Sequence, residues 1–234
     1  LVLFVLCVFT ITNGSITPTI SNSTGEYYIF TSSVQFNDNR IKCVANNCYV
    51  FCTQSISSCK SIIIDGSNIN NLMIKCESSD SCHSLMVFGA SLSTQIDCIG
   101  INTCLDSVFN LSGTHNVKIH CNSTHGASCD YSIFYLNNID YTSLLCGIHG
   151  CEQASIYLNN ANSADISFHG GSGSNVYGKL VQHQLQINCF GIDSCRHSKI
   201  YCPFHAKCNI YCDSVEACFR TNVHIKDDKY DDLY

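Results

Sequence analysis

Eighteen of the 19 cysteines fall into nine close pairs that recur along the chain at a near-constant interval. In order they are Cys43/Cys48, Cys52/Cys59, Cys76/Cys82, Cys98/Cys104, Cys121/Cys129, Cys146/Cys151, Cys189/Cys195, Cys202/Cys208 and Cys212/Cys218. Through the middle of the chain Cys76, Cys98, Cys121 and Cys146 lie 22 to 25 residues apart, and the step on to Cys189 is 43 residues, about two intervals. A fixed interval of this size marks a repeat architecture, in which neighbouring units stack because none can bury its apolar face alone.

Each unit has the same internal order. A segment ends in an apolar residue, a spacer and Cys, as in Ile74-Lys75-Cys76, Ile96-Asp97-Cys98, Ile119-His120-Cys121 and Ile187-Asn188-Cys189. A polar loop leads to the second Cys, and small or apolar residues follow three, five and seven places on (Ser107/Phe109/Leu111, Ala154/Ile156/Leu158). An Asn/Ser/Gly-rich turn closes the unit. Period-two alternation of β-branched and aromatic residues between such turns reads as short strands. Two or three strands in each unit, stacked ~4.8 Å per coil, predict an all-β right-handed parallel β-helix. A leucine-rich repeat has a similar interval but needs helix formers on its convex side, where these units carry Ser, Asn and Ile.

Residues 164–188 occupy one interval without cysteines, Phe168 standing at the first Cys place and Gly173 or Ser174 near the second. Bonds between coils would leave an orphan on either side of this gap, whereas bonds within a coil would not. Stacked residues on parallel strands also point the same way, too far apart for the ~3.8 Å between disulfide Cβ atoms. The expectation is nine loop-closing disulfides. The crowded pairs at either end are expected to cap the solenoid, whose open ends need atypical units.

The apolar run Leu1–Thr10 followed by Asn13-Gly14-Ser15 reads as the end of a secretory signal peptide over residues 1–14, lacking its first residues. It is too short for a transmembrane helix, which takes ~20 apolar residues. Cys7 would leave with it, and the remaining even count suits an oxidised, secreted or secretory-lumen protein. Sequons at Asn22, Asn110 and Asn122 point to the same compartment, with Asn110 facing outward between Phe109 and Leu111. The remaining divisions expected are a lead-in over 15–40, the repeat domain over 41–218 and a charged tail over 219–234. A net charge of −6 argues against nucleic acid and anionic membrane as partners.

The spacer before the first Cys lines up Lys75, Asp97, His120, Leu145, Ser167 and Asn188 on one outward stripe. Lys75, Asp97 and His120 are weak candidates for a surface site, near enough for acid–base work. A solvated face is the plainer reading, and the stripe turns apolar at Leu145. A glycoside hydrolase needs carboxylates converging across ~5–9.5 Å, and Asp65, Asp80, Asp97, Asp106, Asp130, Asp140, Asp165 and Asp193 are dispersed one to a segment. No catalytic residue, metal site or cofactor is expected: there is no C-x-x-C, and the histidines lack zinc-ligand spacing.

The units Cys76-Glu-Ser-Ser-Asp-Ser-Cys82, Cys98-Ile-Gly-Ile-Asn-Thr-Cys104 and Cys189-Phe-Gly-Ile-Asp-Ser-Cys195 resemble those of cysteine-rich, right-handed β-helix (pectin-lyase-like) repeat proteins of the secreted, largely uncharacterised type. The resemblance spans about residues 41–218 and departs from the pattern in the Cys-less coil. It implies the fold and the compartment but no activity, because fold does not carry function. The functional expectation is a secreted structural or ligand-binding module for surface glycans or extracellular proteins. The alternative is a polysaccharide lyase or glycoside hydrolase.

Overall fold

The computed structural model describes residues 20–22, 25–29, 40–53, 56–123, 126–170, 174–178, 180–214 and 216–225. The expected signal segment, most of the lead-in and residues 226–234 lie outside them. The described chain is an all-β parallel solenoid. Each coil gives one strand to a ten-stranded wide sheet and one to a nine-stranded narrow sheet. Wide-sheet strands begin at Asn47, Asn71, Ser93, Asn116, Tyr141, Ser163, Gln184 and Lys207, so the coil length stays between 21 and 25 residues. Narrow-sheet strands such as Met86–Phe88, Val108–Asn110 and Ile133–Tyr135 span 3 residues each. Every strand pairs parallel with its counterpart in the next coil except Ile20–Asn22, which runs antiparallel to Gly25–Ile29. The stack reaches beyond 41–218 in both directions: Gly25–Ile29 pairs with Asn47–Cys52, and Asn222–Ile225 pairs with Lys199–Cys202.

Alternation decides the core. Leu72, Ile74, Ile96, Val117, Ile119, Leu144, Ile166 and Ile187 point inward from the wide sheet, and Ile64, Val87, Phe109, Phe134, Ile156, Val176 and Ile200 meet them from the narrow one. Equivalent residues lie directly above one another. Phe109 and Phe134 stack with ring centroids 4.9 Å apart, worth ~0.5–1.5 kcal/mol beyond the area they bury.

The cysteines form one such column. Cys52, Cys76, Cys98, Cys121, Cys146, Phe168, Cys189 and Cys212 are in register. Phe168 therefore fills the Cys place of the unstapled coil and is fully buried. All nine expected pairs are bonded as local loop closures 5–8 residues apart in sequence, with Cα atoms 5.7–6.1 Å apart.

Two expectations need correction. The crowding of the end pairs comes from a second corner of the coil, not from an atypical unit. Cys43–Cys48 and Cys202–Cys208 join the end of a narrow-sheet strand to the start of the next wide-sheet strand, the corner opposite the other seven bridges. The coils they belong to keep the ordinary length. Ser174 also does not stand at a Cys place. Its hydroxyl donates to the Cys151 carbonyl (2.5 Å), as Ser107 does to Cys82 (3.0 Å), Ser132 to Cys104 (2.8 Å) and Thr221 to Cys195 (2.6 Å). These hydroxyls all lie three residues past a second Cys place, which puts the missing one at residue 171, outside the described residues.

The turn at the second Cys repeats as closely as the strands do. Cys59, Cys82, Cys104, Cys129, Cys151 and Cys195 all have φ between 53° and 62°, a left-handed conformation costing non-glycine residues ~1–2 kcal/mol. It persists because the disulfide holds the Cys side chain and the next coil holds its backbone. The amides of Cys82, Cys104, Cys129 and Cys151 donate to the carbonyls of Ser58, Ser81, Thr103 and Ser128 in the preceding coil, at 2.7–3.0 Å. The residue before the second Cys must be small. At Gly150 an added Cβ would lie 2.6 Å from the Cys121 carbonyl oxygen, and the equivalent Ser58, Ser81 and Ser128 bury hydroxyls that have no partner.

Two substitutions test this packing by thermal melting. Phe168→Ala opens a cavity in the coil that has no staple and is expected to destabilise by about 3–5 kcal/mol. Ser81→Ala removes an unpartnered buried hydroxyl and is expected to leave the melting temperature unchanged or raise it. A clear loss there would show that the hydroxyl makes a bond.

Candidate functional site

The outward stripe expected from the sequence exists. On the wide sheet Lys75 pairs in register with Asp97, Asp97 with His120, His120 with Leu145, Leu145 with Ser167 and Ser167 with Asn188. Alignment does not make its first three members converge. The Lys75 ammonium is taken by Glu77, two residues along its own strand direction. That hydrogen bond is the main reason the Lys75 pKa is raised, with Asp97 adding a smaller attraction. The Asp97 carboxylate is largely buried and accepts from Gln95 Nε2 at 2.9 Å. Lys75 and Asp97 each find a partner along their own strand rather than being aimed at a shared point.

Further up the face the groups change character. Ser143, Asp165, Gln186 and Asn209 form the central row, with Ser167 and Asn188 beside them. Asn188 Nδ2 donates to Asp165 Oδ1 (3.0 Å) and Ser167 Oγ (3.2 Å), and Gln184 and Gln186 extend the chain of bonds at 2.9 and 3.1 Å. Burial raises the Asp165 pKa, and the Asn188 bond opposes it. Phe190 and Tyr211 border this amide-rich patch, their ring centroids 5.9 Å apart. The patch carries one carboxylate amid uncharged donors and acceptors. It suits a ligand bearing many hydroxyls or amides better than a charged one.

Most other carboxylates are held locally. Asp65 accepts from Ser67 and from Arg40 at 2.5 Å, and Ser67 is the larger cause of its lowered pKa. Asp140 faces His115 Nδ1 at 2.6 Å, and Asp193 faces Arg196 at 3.0 Å. His125 lies outside the described residues. Asp130 is different. It follows Cys129 as Glu152 follows Cys151, so the two acids occupy equivalent places in successive coils. The buried Asp130 carboxylate accepts the Glu152 amide at 2.8 Å. Burial pushes its pKa up to about 7, the amide bond working against the shift and the Glu152 charge with it. The dispersal of acids expected from the sequence missed this pair, although its place one residue after the second Cys was visible there.

The narrow sheet shows a second feature read only from the structure. The third residue of successive short strands is Tyr135, Tyr157, Tyr177, Tyr201 and His224, and the rings stack outside the sheet. Centroids are 5.3, 4.7, 5.0 and 4.8 Å apart, with planes within 6–16°. An apolar-Tyr step in each unit (Phe134-Tyr135, Ile156-Tyr157, Val176-Tyr177, Ile200-Tyr201) was the available signal. Asn110 precedes the ladder in the same column and is exposed, whereas Asn122 is half-buried and lies over Gly147, whose added Cβ would meet it at 2.1 Å. Asn22 ends the strand Ile20–Asn22, and its side chain lies outside the described residues.

The Gly147-Ile-His-Gly150 run is steric in origin, leaving room for the Asn122 side chain and the Cys121 carbonyl. Among the described residues, the five groups of three ligand-type atoms within 4.8 Å are built on disulfide sulfurs, one of them with Glu26 added. A bonded sulfur offers a metal no thiolate, and the Glu26 carboxylate accepts the Val44 amide at 2.9 Å. No helix among the described residues is long and apolar enough to cross a membrane.

Asp130 makes stability depend on pH in a definite direction. Its folded pKa of about 7 lies above the ordinary 3.8, so between these values the folded chain holds a proton that the unfolded chain has lost. Stability therefore falls as pH rises from about 4 to 7. Asp130→Asn keeps the acceptor for the Glu152 amide and removes the buried charge. It is expected to stabilise by on the order of 2 kcal/mol at pH 8 and to make no difference below pH 4. Denaturant melts at the two pH values check this, and equal effects at both would refute the burial argument.

No protein-family model matches this chain, and no curated protein or solved structure matches it.

Proposed function

We propose that the chain is a secreted structural or ligand-binding module whose wide sheet displays a rigid, amide-rich face to surface glycans or extracellular proteins. One observation carries this reading: the hydrogen-bonded patch of Gln184, Gln186, Asn188, Asp165 and Ser167 lies on a flat sheet bordered by Phe190 and Tyr211. Its donors and acceptors are already oriented by their neighbours, so a ligand would bind with little further ordering. Nine disulfides suit an oxidising compartment, where such a face meets extracellular material. Weak contacts repeated coil by coil would add along an extended partner.

A second reading, a polysaccharide lyase or hydrolase, is favoured by the Asp130–Glu152 pair. A carboxyl group held near pH 7 is a suitable proton donor, and its counterpart sits one coil away. Against it, Asp130 is buried and spends one oxygen on a backbone amide.

The test is a binding screen of the purified protein against neutral and acidic polysaccharides and extracellular proteins, with assay for newly formed reducing ends. Binding without cleavage is expected, weakened about tenfold by Gln186→Ala with Asn188→Ala. Retention of binding by that double variant would remove the wide sheet as the binding face. Cleavage abolished by Asp130→Asn would replace the binding reading with the enzymatic one.

A further inference from the structure

We propose that the tyrosine ladder on the narrow sheet is a site of oxidative coupling, in which neighbouring phenols are joined to make covalent bridges between coils. Three observations lead there. The rings of Tyr157 and Tyr177 lie 4.7 Å apart and only 6° from parallel, and Tyr201 continues the stack at 5.0 Å. Their backbones are pinned one above another by the parallel pairing of Ser155–Tyr157 with Asn175–Tyr177 and of the latter with Lys199–Tyr201. The outermost tyrosine, Tyr135, is 37% exposed, which gives an oxidant access to a stack whose inner members are half-buried.

The geometry selects coupling within one molecule. Strand spacing already holds the rings in contact. Turning two adjacent rings about their Cβ–Cγ bonds points a carbon ortho to each hydroxyl at its neighbour, edge to edge, and a tilt of the side chains about their Cα–Cβ bonds closes the remaining gap. Burial, reinforced by Tyr157 and Tyr201, raises the Tyr177 pKa and keeps the phenol protonated. Each oxidation therefore removes a hydrogen atom rather than an electron from a phenolate. A radical formed at Tyr135 passes to Tyr157 and Tyr177 by hydrogen or electron exchange between stacked rings. Thiols would quench it, but all 18 cysteines from Cys43 to Cys218 are in disulfides.

The oxidant is hydrogen peroxide acting through a haem peroxidase. Two phenols each lose one electron and one proton, and these reduce one peroxide to two waters. The two phenoxyl radicals form a carbon–carbon bond between their ortho positions. The hydrogens on those carbons then shift to the oxygens, restoring two phenols as a biphenol. The net loss is two hydrogens per bridge. The disulfides close loops inside coils, and a biphenol bridge would tie one coil to the next.

The experiment treats the dilute full-length protein with horseradish peroxidase and hydrogen peroxide. Biphenol fluorescence gives the yield, and peptide mapping after disulfide reduction gives the position. The expected product is a monomer that has lost two hydrogens between Tyr157 and Tyr177 or between Tyr177 and Tyr201. Tyr177→Phe keeps the stacked ring but leaves Tyr135–Tyr157, at 5.3 Å, as the remaining adjacent phenol pair before Tyr201. It is expected to abolish the Tyr157–Tyr177 and Tyr177–Tyr201 bridges and lower the total yield, with the circular dichroism spectrum and melting temperature retained. Tyr211→Phe should leave the yield unchanged, although Tyr211 is 57% exposed. Three results would each overturn the proposal. These are no bridge in the monomer, bridges only between copies through the exposed Tyr131, Tyr141 or Tyr211, or a bridge confined to the stacked Tyr27–Tyr49 pair on the wide sheet.

Discussion

Coil-upon-coil register is the constraint on which everything else in this molecule depends. Each backbone amide and carbonyl of a strand is paired with the coil above or below, so a residue cannot slip without turning its whole strand inside out. The register holds from Glu26 opposite Cys48 to Cys189 opposite Cys212 on one sheet, and from Ile41 opposite Ile64 to Ile200 opposite Val223 on the other. Side chains thereby become columns. A column inside must be filled at every level, which is why Phe168 takes over where cysteine is absent. A column outside presents one chemistry repeatedly, as the tyrosines do, or changes along its length, as the stripe from Lys75 to Asn188 does.

This explains which features were legible in the sequence. Much that is set by one column at a constant phase could be read directly: the Cys column, its Phe168 substitute, the inward Phe109 and Phe134, and the outward alignment of Lys75, Asp97 and His120, although the tyrosine column, equally regular, was passed over. What depends on the loops could not. Cys43/Cys48 and Cys52/Cys59 looked like a crowded cap because a pair at the narrow-to-wide corner was counted in phase with pairs at the other corner. Ser174 was placed three residues early because the loop length varies between coils and residue 171 carries no cysteine to mark the turn. Side-chain partners were beyond reach for a related reason. Lys75 has Asp97 one coil away and Glu77 on its own chain, and only the local path of the backbone after Cys76 decides for Glu77.

The same distinction separates the two candidate surfaces. Several charges on the outer faces are paired with neighbours in their own or the adjacent coil: Arg40 with Asp65, Lys75 with Glu77 and Arg196 with Asp193. Exposed pairs of this kind add little stability, ~0–1 kcal/mol each. The amide network around Asn188 goes further, since its members orient one another and offer a ligand a preformed pattern. Asp130 stands apart because its charge is satisfied by a backbone amide and opposed by burial. That arrangement costs stability at neutral pH.

The distribution of covalent bonds also bears on how the solenoid resists unfolding. In a stack where each unit touches only its neighbours, stability is a sum of unit terms and interface terms. Every disulfide here contributes to the first kind, by limiting the freedom of one unfolded loop, for ~2 kcal/mol with loops this short. None strengthens an interface. The interfaces depend on backbone pairing, on buried rings such as Phe109 over Phe134, and on the hydroxyls that tie Ser107, Ser132 and Ser174 to the coil before. The coil containing Phe168 has no staple, so its own term lacks that contribution and it relies on the coils on both sides. The tyrosine ladder crosses that coil through Tyr177, between Tyr157 and Tyr201. The outer stack therefore reinforces the interfaces of the level where the inner cross-link is missing. An unfolding event starting there must separate the rings before it can free the neighbouring coils.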